Sequence, residues 1–199
     1  MKRDIAIIDS GGSNIASLSC ALKRLGAGSI RTADADTIRA ASHVILPGVG
    51  AAADGMQKLK ATGLDEVIPR LTQPVLGICL GMHLLAQRSE EDDADCLGVF
   101  PAAALRLHAS ADLPVPNMGW CRVTKVADHP LLDGIDSDSY FYFVHSYALP
   151  VADFTVATAT HAAEVSAVSS SRNFVATQFH PERSAAAGAR LLANFLAMR

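Results

Sequence analysis

The first hundred residues alternate short apolar runs with amphipathic stretches. Residues 5–8 are a continuous apolar run closed by Asp9-Ser10-Gly11-Gly12, the pattern of a strand buried on both faces. Ile15, Leu18, Leu22 and Leu25 then recur at helical spacing, and Gly26 stands where a helix C-cap belongs. Residues 29–32 predict a second strand, with a short helix around 37–41. Val44-Ile45-Leu46 predicts a third, followed by Pro47-Gly48-Val49-Gly50 and a helix from about 54 to 62. Residues 75–78 predict a fourth. Repetition of this kind predicts an α/β fold, a parallel sheet with helices on both faces.

The second half has a different rhythm. Residues 97–107, 120–126, 140–147, 154–160 and 174–179 read as strands joined by turns such as His129-Pro130 and Asp133-Gly134. Some of them are expected to pair antiparallel, extending the sheet or forming hairpins at one edge. A closing helix over 185–198 carries Leu191, Leu192, Phe195 and Leu196 as an apolar stripe. Glu90-Glu91-Asp92-Asp93 is a charge run whose default reading is a solvated loop. With no internal repeat or low-complexity stretch, the 199 residues are expected to form one domain, residues 1–199.

Bulk chemistry narrows the partners. A net charge of −3 gives no field that would recruit nucleic acid or an anionic membrane. No stretch reaches the roughly 18 apolar residues of a membrane span, and the apolar run that stops at Asp9 is too short for a signal peptide. The four cysteines, Cys20, Cys79, Cys96 and Cys121, show neither zinc-ligand nor disulfide-framework spacing, so no metal is expected and reduced thiols in the cytoplasm fit best.

Cys79 differs from the other three. It lies in Gly77-Ile78-Cys79-Leu80-Gly81, at the end of a predicted strand and before another apolar stretch. That is the layout of a nucleophile elbow, a tight strand-to-helix turn that holds one side chain exposed. The flanking glycines allow backbone segments to approach closely, and a helix N-terminus beneath the sulfur favours thiolate, the attacking species. Core filler is the ordinary fate of a lone cysteine, and the C-terminal region argues against it here. Gln178-Phe179-His180-Pro181-Glu182 follows an apolar strand, and His180 and Glu182 can project from its end toward one crevice. A cysteine nucleophile needs an imidazole to exchange its proton and a carboxylate to orient that imidazole. In open α/β sheets such groups gather at strand C-terminal ends. Cys20, Cys96 and Cys121 lack an elbow and read as packing residues.

These residues resemble the class I (triad-type) glutamine amidotransferases and, within them, the glutaminase subunits of imidazole glycerol phosphate synthases. The likeness runs through Ile7-Ile8-Asp9, Gly11 to Asn14, Leu46-Pro47-Gly48-Val49-Gly50, Gly77 to Met82, Arg88-Ser89-Glu90-Glu91, Met118-Gly119-Trp120, Phe143-Val144-His145-Ser146-Tyr147 and Gln178 to Ser184. It implies a flavodoxin-like, mostly parallel central sheet flanked by helices, with an additional antiparallel part. It further implies that Cys79 attacks the glutamine side-chain amide, with His180 and Glu182 completing the triad. No cofactor is implied. Val49 and Leu80 would supply oxyanion-hole N–H donors, each worth a few kcal/mol. Gly50, Glu91 and Ser146 match positions that hold the backbone and ammonium of glutamine. Glu91 reads equally as a loop carboxylate, and Ser146 as a strand-end hydroxyl capping its own backbone. His145 reads as a structural or interface residue.

The sequence departs from the family pattern at His83, where glutamine usually grips the amino-acid end of the substrate, and at Ala52, Asn117 and Cys121. Free ammonia is useful only beside an acceptor, and 199 residues leave no room for a synthase domain. The resemblance therefore implies a separate cyclase subunit that forms a (β/α)8 barrel. That complex makes imidazole glycerol phosphate and an aminoimidazole carboxamide ribotide in histidine biosynthesis. Asn14, Met118, Trp120 and Arg183 match positions near the docking face, although a lone Trp is more often core. Rival readings are a glutaminase subunit of an anthranilate- or aminodeoxychorismate-type synthase, a catalytically silent regulatory subunit, and another cysteine hydrolase on a flavodoxin-like sheet.

Overall fold

The computed structural model describes residues 4–9, 15–109 and 113–199. Strands and helices alternate through the first half: β1 Asp4–Ile8, α1 Ile15–Arg24, β2 Gly28–Thr32, α2 Ala35–Ala40, β3 His43–Leu46, α3 Ala52–Ala61, α4 Leu64–Val67, β4 Val75–Ile78 and α5 Leu80–Leu85. Strands then dominate: β5 Ala86–Ser89, β6 Ala94–Asp95, β7 Phe100–Arg106, β8 Asn117–Lys125, β9 Tyr140–His145, β10 Tyr147–Ala148, β11 Thr155–His161, β12 Ala163–Ser171 and β13 Phe174–Thr177. Helix α6, Ala185–Ala197, closes the chain.

A nine-stranded sheet, in the order β2-β1-β3-β4-β13-β12-β11-β8-β9, organises the molecule. Strands β2, β1, β3, β4 and β13 run parallel. From β13 to β9 every neighbouring pair is antiparallel. The expected antiparallel part is thus an extension of the same sheet, joined in part by the short β11–β12 and β12–β13 turns. A second, four-stranded sheet of order β10-β7-β5-β6 packs beside it.

Alternation along the buried runs splits the core into two layers. Ile5 and Ile7 pack on one face of the sheet with Leu18 and Leu22 of α1 and Leu191, Leu192 and Phe195 of α6. Ala6 and Ile8 pack on the other with Met56 and Leu59 of α3, Leu84 and Leu85 of α5, and Phe100 of the second sheet. Each such fully buried Leu, Ile or Phe stabilises the fold by about 1.5–3 kcal/mol.

One pairing positions everything that follows. β13 returns from the antiparallel half to lie parallel to β4, with Val175 opposite Leu76 and Thr177 opposite Ile78. The C-terminal ends of these two strands are therefore side by side, one leading into Cys79 and the other into Gln178 and His180.

Candidate active site

Cys79 stands at the strand-to-helix turn with φ 53° and ψ −109°. A non-glycine residue held there carries about 1–3 kcal/mol of strain. The surroundings fix it: its N–H donates to the Thr177 carbonyl at 2.8 Å, and its own carbonyl accepts from Met82 N at 2.9 Å. Gly81 explains how α5 fits so close behind, since a Cβ there would collide with the Leu46 carbonyl oxygen at the end of β3. Leu80 opens α5, so its N–H has no acceptor within the helix. The loop after β3 lies against it, and a Cβ on Gly48 would approach Leu80 Cβ to 2.8 Å.

His180 follows β13. Its N–H donates to the Tyr142 carbonyl on β9 at 2.9 Å, and its own carbonyl accepts from Ser184 Oγ at 2.7 Å. The ring is thereby aimed between two partners. Nδ1 lies 2.9 Å from Glu182 Oε1, and the ring also shares a hydrogen bond with Cys79. Burial would lower its pKa, but the hydrogen bonds and negative charge of Cys79 and Glu182 outweigh that and raise it to about 10. The sulfur of one stretch and the imidazole and carboxylate of another therefore meet in one chain of hydrogen bonds.

Cys79 is only 8% exposed, yet it opens on a cavity of about 340 Å³. Gly48, Val49, Gly50, Leu80, His83, Glu91, Ser146 and His180 share its wall. Such a cavity suits a ligand of amino-acid size, and its sulfur, imidazole and helix-start N–H together suit acyl transfer from an amide.

Residues 6–198 match the model of the family described as "Glutamine amidotransferase class-I". The chain belongs to the class I glutamine amidotransferases. Among its relatives is imidazole glycerol phosphate synthase subunit HisH 2 of Legionella pneumophila (strain Paris), 50% identical over 194 residues covering 98% of each chain. The HisH protein of Vibrio cholerae serotype O1, from the same synthase, is 44% identical over 202 residues, covering 98% of this chain and 99% of that one. Of solved structures, a putative GMP synthase protein from Thermoplasma acidophilum superimposes with a TM-score of 0.76 at 20% identity, over 99% of this chain and 94% of that one. That likeness shows the class I amidotransferase fold alone.

The other residues singled out in the sequence fall in two places. Gly50, His83, Glu91 and Ser146 line the cavity with Cys79. The Ser146 hydroxyl makes no hydrogen bond within the described residues, so it does not cap its own strand end. His83 is buried, with Nε2 2.9 Å from Gln178 Oε1. Desolvation lowers its pKa despite that bond, so it presents a neutral ring to the cavity. Met118, Trp120 and Arg183 lie instead on the outer face of β8 and the turn after β13; Met118 is 65% and Trp120 51% exposed, so the lone Trp is not core. The Arg183 guanidinium sits 4.4 Å over the ring of Tyr142, against which Trp120 packs edge-on. Asn14 lies outside the described residues.

Two expectations are corrected. Cys20 is exposed on α1, where it fills no core, although Cys96 and Cys121 do pack against the two cores. The charge run at 90–93 is only partly a solvated loop, because both glutamates accept backbone N–H groups: Glu90 from Arg106 and Glu91 from Ala52. Sequence reasoning missed several supports. Asn117 and Cys121 build a network around His145, whose Nδ1 donates to the Tyr147 carbonyl while Nε2 accepts from the Asn117 amide. Burial pushes His145 down to about 4, so this ring stays neutral. Gln178 bridges His83 and, more distantly at 4.0 Å, the sulfur. Ser184 and Gly188 hold the His180 turn, and their small size was the signal that could have exposed them. No group of metal-ligating side chains occurs among the described residues, and no helix there is long and apolar enough to cross a membrane.

Proposed function

We propose that this chain is the glutaminase subunit of an imidazole glycerol phosphate synthase, hydrolysing glutamine to glutamate and ammonia. The observation that carries the reading is the position of His180, bonded to Glu182 on one side and Cys79 on the other beside an amino-acid-sized cavity. Cys79 passes its thiol proton to His180, its Sγ attacks the side-chain amide carbon, and the C=O electrons move to oxygen. The resulting oxyanion is held by the N–H groups of Leu80 and Val49. As the intermediate collapses, the C–N bond breaks, His180 protonates the departing nitrogen, and ammonia leaves a γ-glutamyl thioester. Water, deprotonated by His180, then cleaves the thioester to glutamate and returns the proton to sulfur. Glu182 keeps the imidazole in one orientation and stabilises its protonated form. Gly50, Glu91 and Ser146 hold the amino-acid end of glutamine, and His83 shapes the same wall.

The ammonia serves a cyclase subunit with a (β/α)8 barrel, in the cytoplasm, for imidazole glycerol phosphate and aminoimidazole carboxamide ribotide in histidine biosynthesis. Met118, Trp120 and Arg183 form its docking face. Exposed aromatic and Arg side chains held in mutual contact are typical interface anchors. This face packs on Tyr142 of β9, the strand whose Val144 carbonyl oxygen lies 3.5 Å from Cys79 Sγ. A bound partner therefore lies one strand away from the reacting sulfur.

The test is glutamate release from glutamine, alone and with a barrel cyclase and its ribonucleotide ligand. Release that rises on adding the cyclase and vanishes in Cys79→Ala is expected. Hydrolysis indifferent to the cyclase removes the histidine-pathway assignment, and full activity in Cys79→Ala removes the mechanism.

A further inference from the structure

The loop at residues 48–51 has its far end fixed from outside. Ala51 is the N-cap of α3 yet makes no side-chain capping bond, and Ala52 begins the helix. The Ala52 N–H instead donates to Glu91 Oε2 at 3.0 Å, across 39 residues of sequence. Glu91 is itself well anchored. Its N–H donates to Ser89 Oγ, while neighbouring Glu90 takes the Arg106 N–H at 2.8 Å and gives its own N–H to the Ala104 carbonyl. The second sheet thus extends a carboxylate to the peptide three residues after Val49. A charged acceptor at a helix start makes a stronger bond than a neutral one. The other oxygen, Oε1, makes no hydrogen bond within the described residues, and Glu91 lines the cavity.

We propose that Glu91 is a positioning residue for the 48–51 loop: one carboxylate oxygen holds Ala52 N–H while the other takes the ammonium of glutamine, so that substrate occupancy firms the loop carrying Val49. The inference rests on the reading of the cavity as a glutamine site. Burial raises the pKa of Glu91 even against the Ala52 bond. An ammonium beside Oε1 favours the ionised carboxylate, which in turn strengthens its bond to Ala52. A ligand carrying no cation lacks that effect.

Two variants separate the roles. Glu91→Gln keeps an oxygen for Ala52 N–H and loses the charge, whereas Glu91→Ala loses both. Each is assayed in complex with the cyclase, on glutamine and on glutaramate, the same amide without its amino group. On glutamine, Glu91→Gln is expected to raise KM about tenfold with a smaller loss of kcat than Glu91→Ala shows. Glu91→Ala raises KM similarly and also lowers kcat about tenfold. On glutaramate, which lacks the ammonium, the KM penalty of both variants shrinks, and the Ala variant keeps its larger kcat loss. Amide exchange over residues 48–52, followed without turnover in the Cys79→Ala background, is expected to be slowed by glutamine and accelerated by Glu91→Ala but not by Glu91→Gln. Identical behaviour of the two variants, or exchange unaffected by Glu91→Ala, overturns the proposal. Glutamate release that survives Cys79→Ala overturns the cavity assignment itself, a separate outcome.

Discussion

His180 sits among groups that pull its proton affinity in opposite directions, and their balance is measurable. Burial lowers the pKa and the Cys79 and Glu182 partners raise it further, leaving the imidazole protonated to about pH 10. Because the folded value lies above the ordinary 6.5, the protonated form stabilises the fold fully below about pH 6.5, and that contribution is lost as pH rises through about 10. The leaving nitrogen needs the same proton, so the alkaline limb of kcat/KM for glutamate release is expected near pH 10. Glu182→Gln removes the negative charge while keeping an acceptor for Nδ1, and should move that limb to lower pH. A limb unmoved by the substitution would separate Glu182 from the imidazole. The meeting of Cys79, His180 and Glu182 was legible because residue type and glycine spacing constrain an elbow and a strand-end His-Pro-Glu strongly. The bonds of Glu91 to Ala52 and His83 to Gln178 were not legible. Each joins residues whose meeting depends on tertiary packing, and a glutamate in an acidic run looks the same whether solvated or capping.

At the level of elements, the site depends on how closely α6 seats behind the His180 turn. A Cβ on Gly188 would overlap the Pro181 carbonyl oxygen and come within 2.8 Å of Ser184 Cβ. Gly188→Ala must therefore push the helix or the turn aside. Overpacking of this kind costs about 1–3 kcal/mol, and the displaced turn carries both His180 and Glu182. The expected result is a fall in thermal midpoint together with a loss of kcat larger than any change in KM. A variant of lowered stability but unchanged kcat would show that the turn is held by Ser184 alone. Parallel strands β1 to β4 were readable to within a residue or so because each is buried on both faces and so continuously apolar. β12 was not. The sequence predicts no strand over 163–171, where Ser166, Ser169, Ser170 and Ser171 break the apolar pattern, yet Ser166 and Ser169 are buried and hydrogen-bond each other at 2.8 Å. Once its hydroxyls are paired in this way, a serine-rich segment can lie inside a sheet without unsatisfied polar groups.

Across the whole molecule, the sheet has two regions of interest, one central and one at its edge. β4 and β13 bring Cys79 and His180 together near its middle, and β8 and β9 end it with an exposed aromatic face on which Trp120 and Arg183 each contact Tyr142. These side chains do little for the core, since Trp120 is half exposed and Met118 more so. Truncating Trp120 should therefore leave folding nearly untouched while removing an anchor from the proposed docking face. Trp120→Ala is expected to keep its thermal midpoint within a degree or two, and to weaken association with the barrel cyclase by at least about 2 kcal/mol, roughly thirtyfold in Kd. Calorimetric titration of cyclase into the variant reads this directly. Cyclase-stimulated glutamate release should recover when the cyclase is raised to saturation, because Trp120 lies outside the cavity and touches none of the triad. A deficit that persists at saturation would mean that the ring transmits the partner's presence through β9 to Cys79. An unchanged Kd would move the docking face elsewhere on the protein.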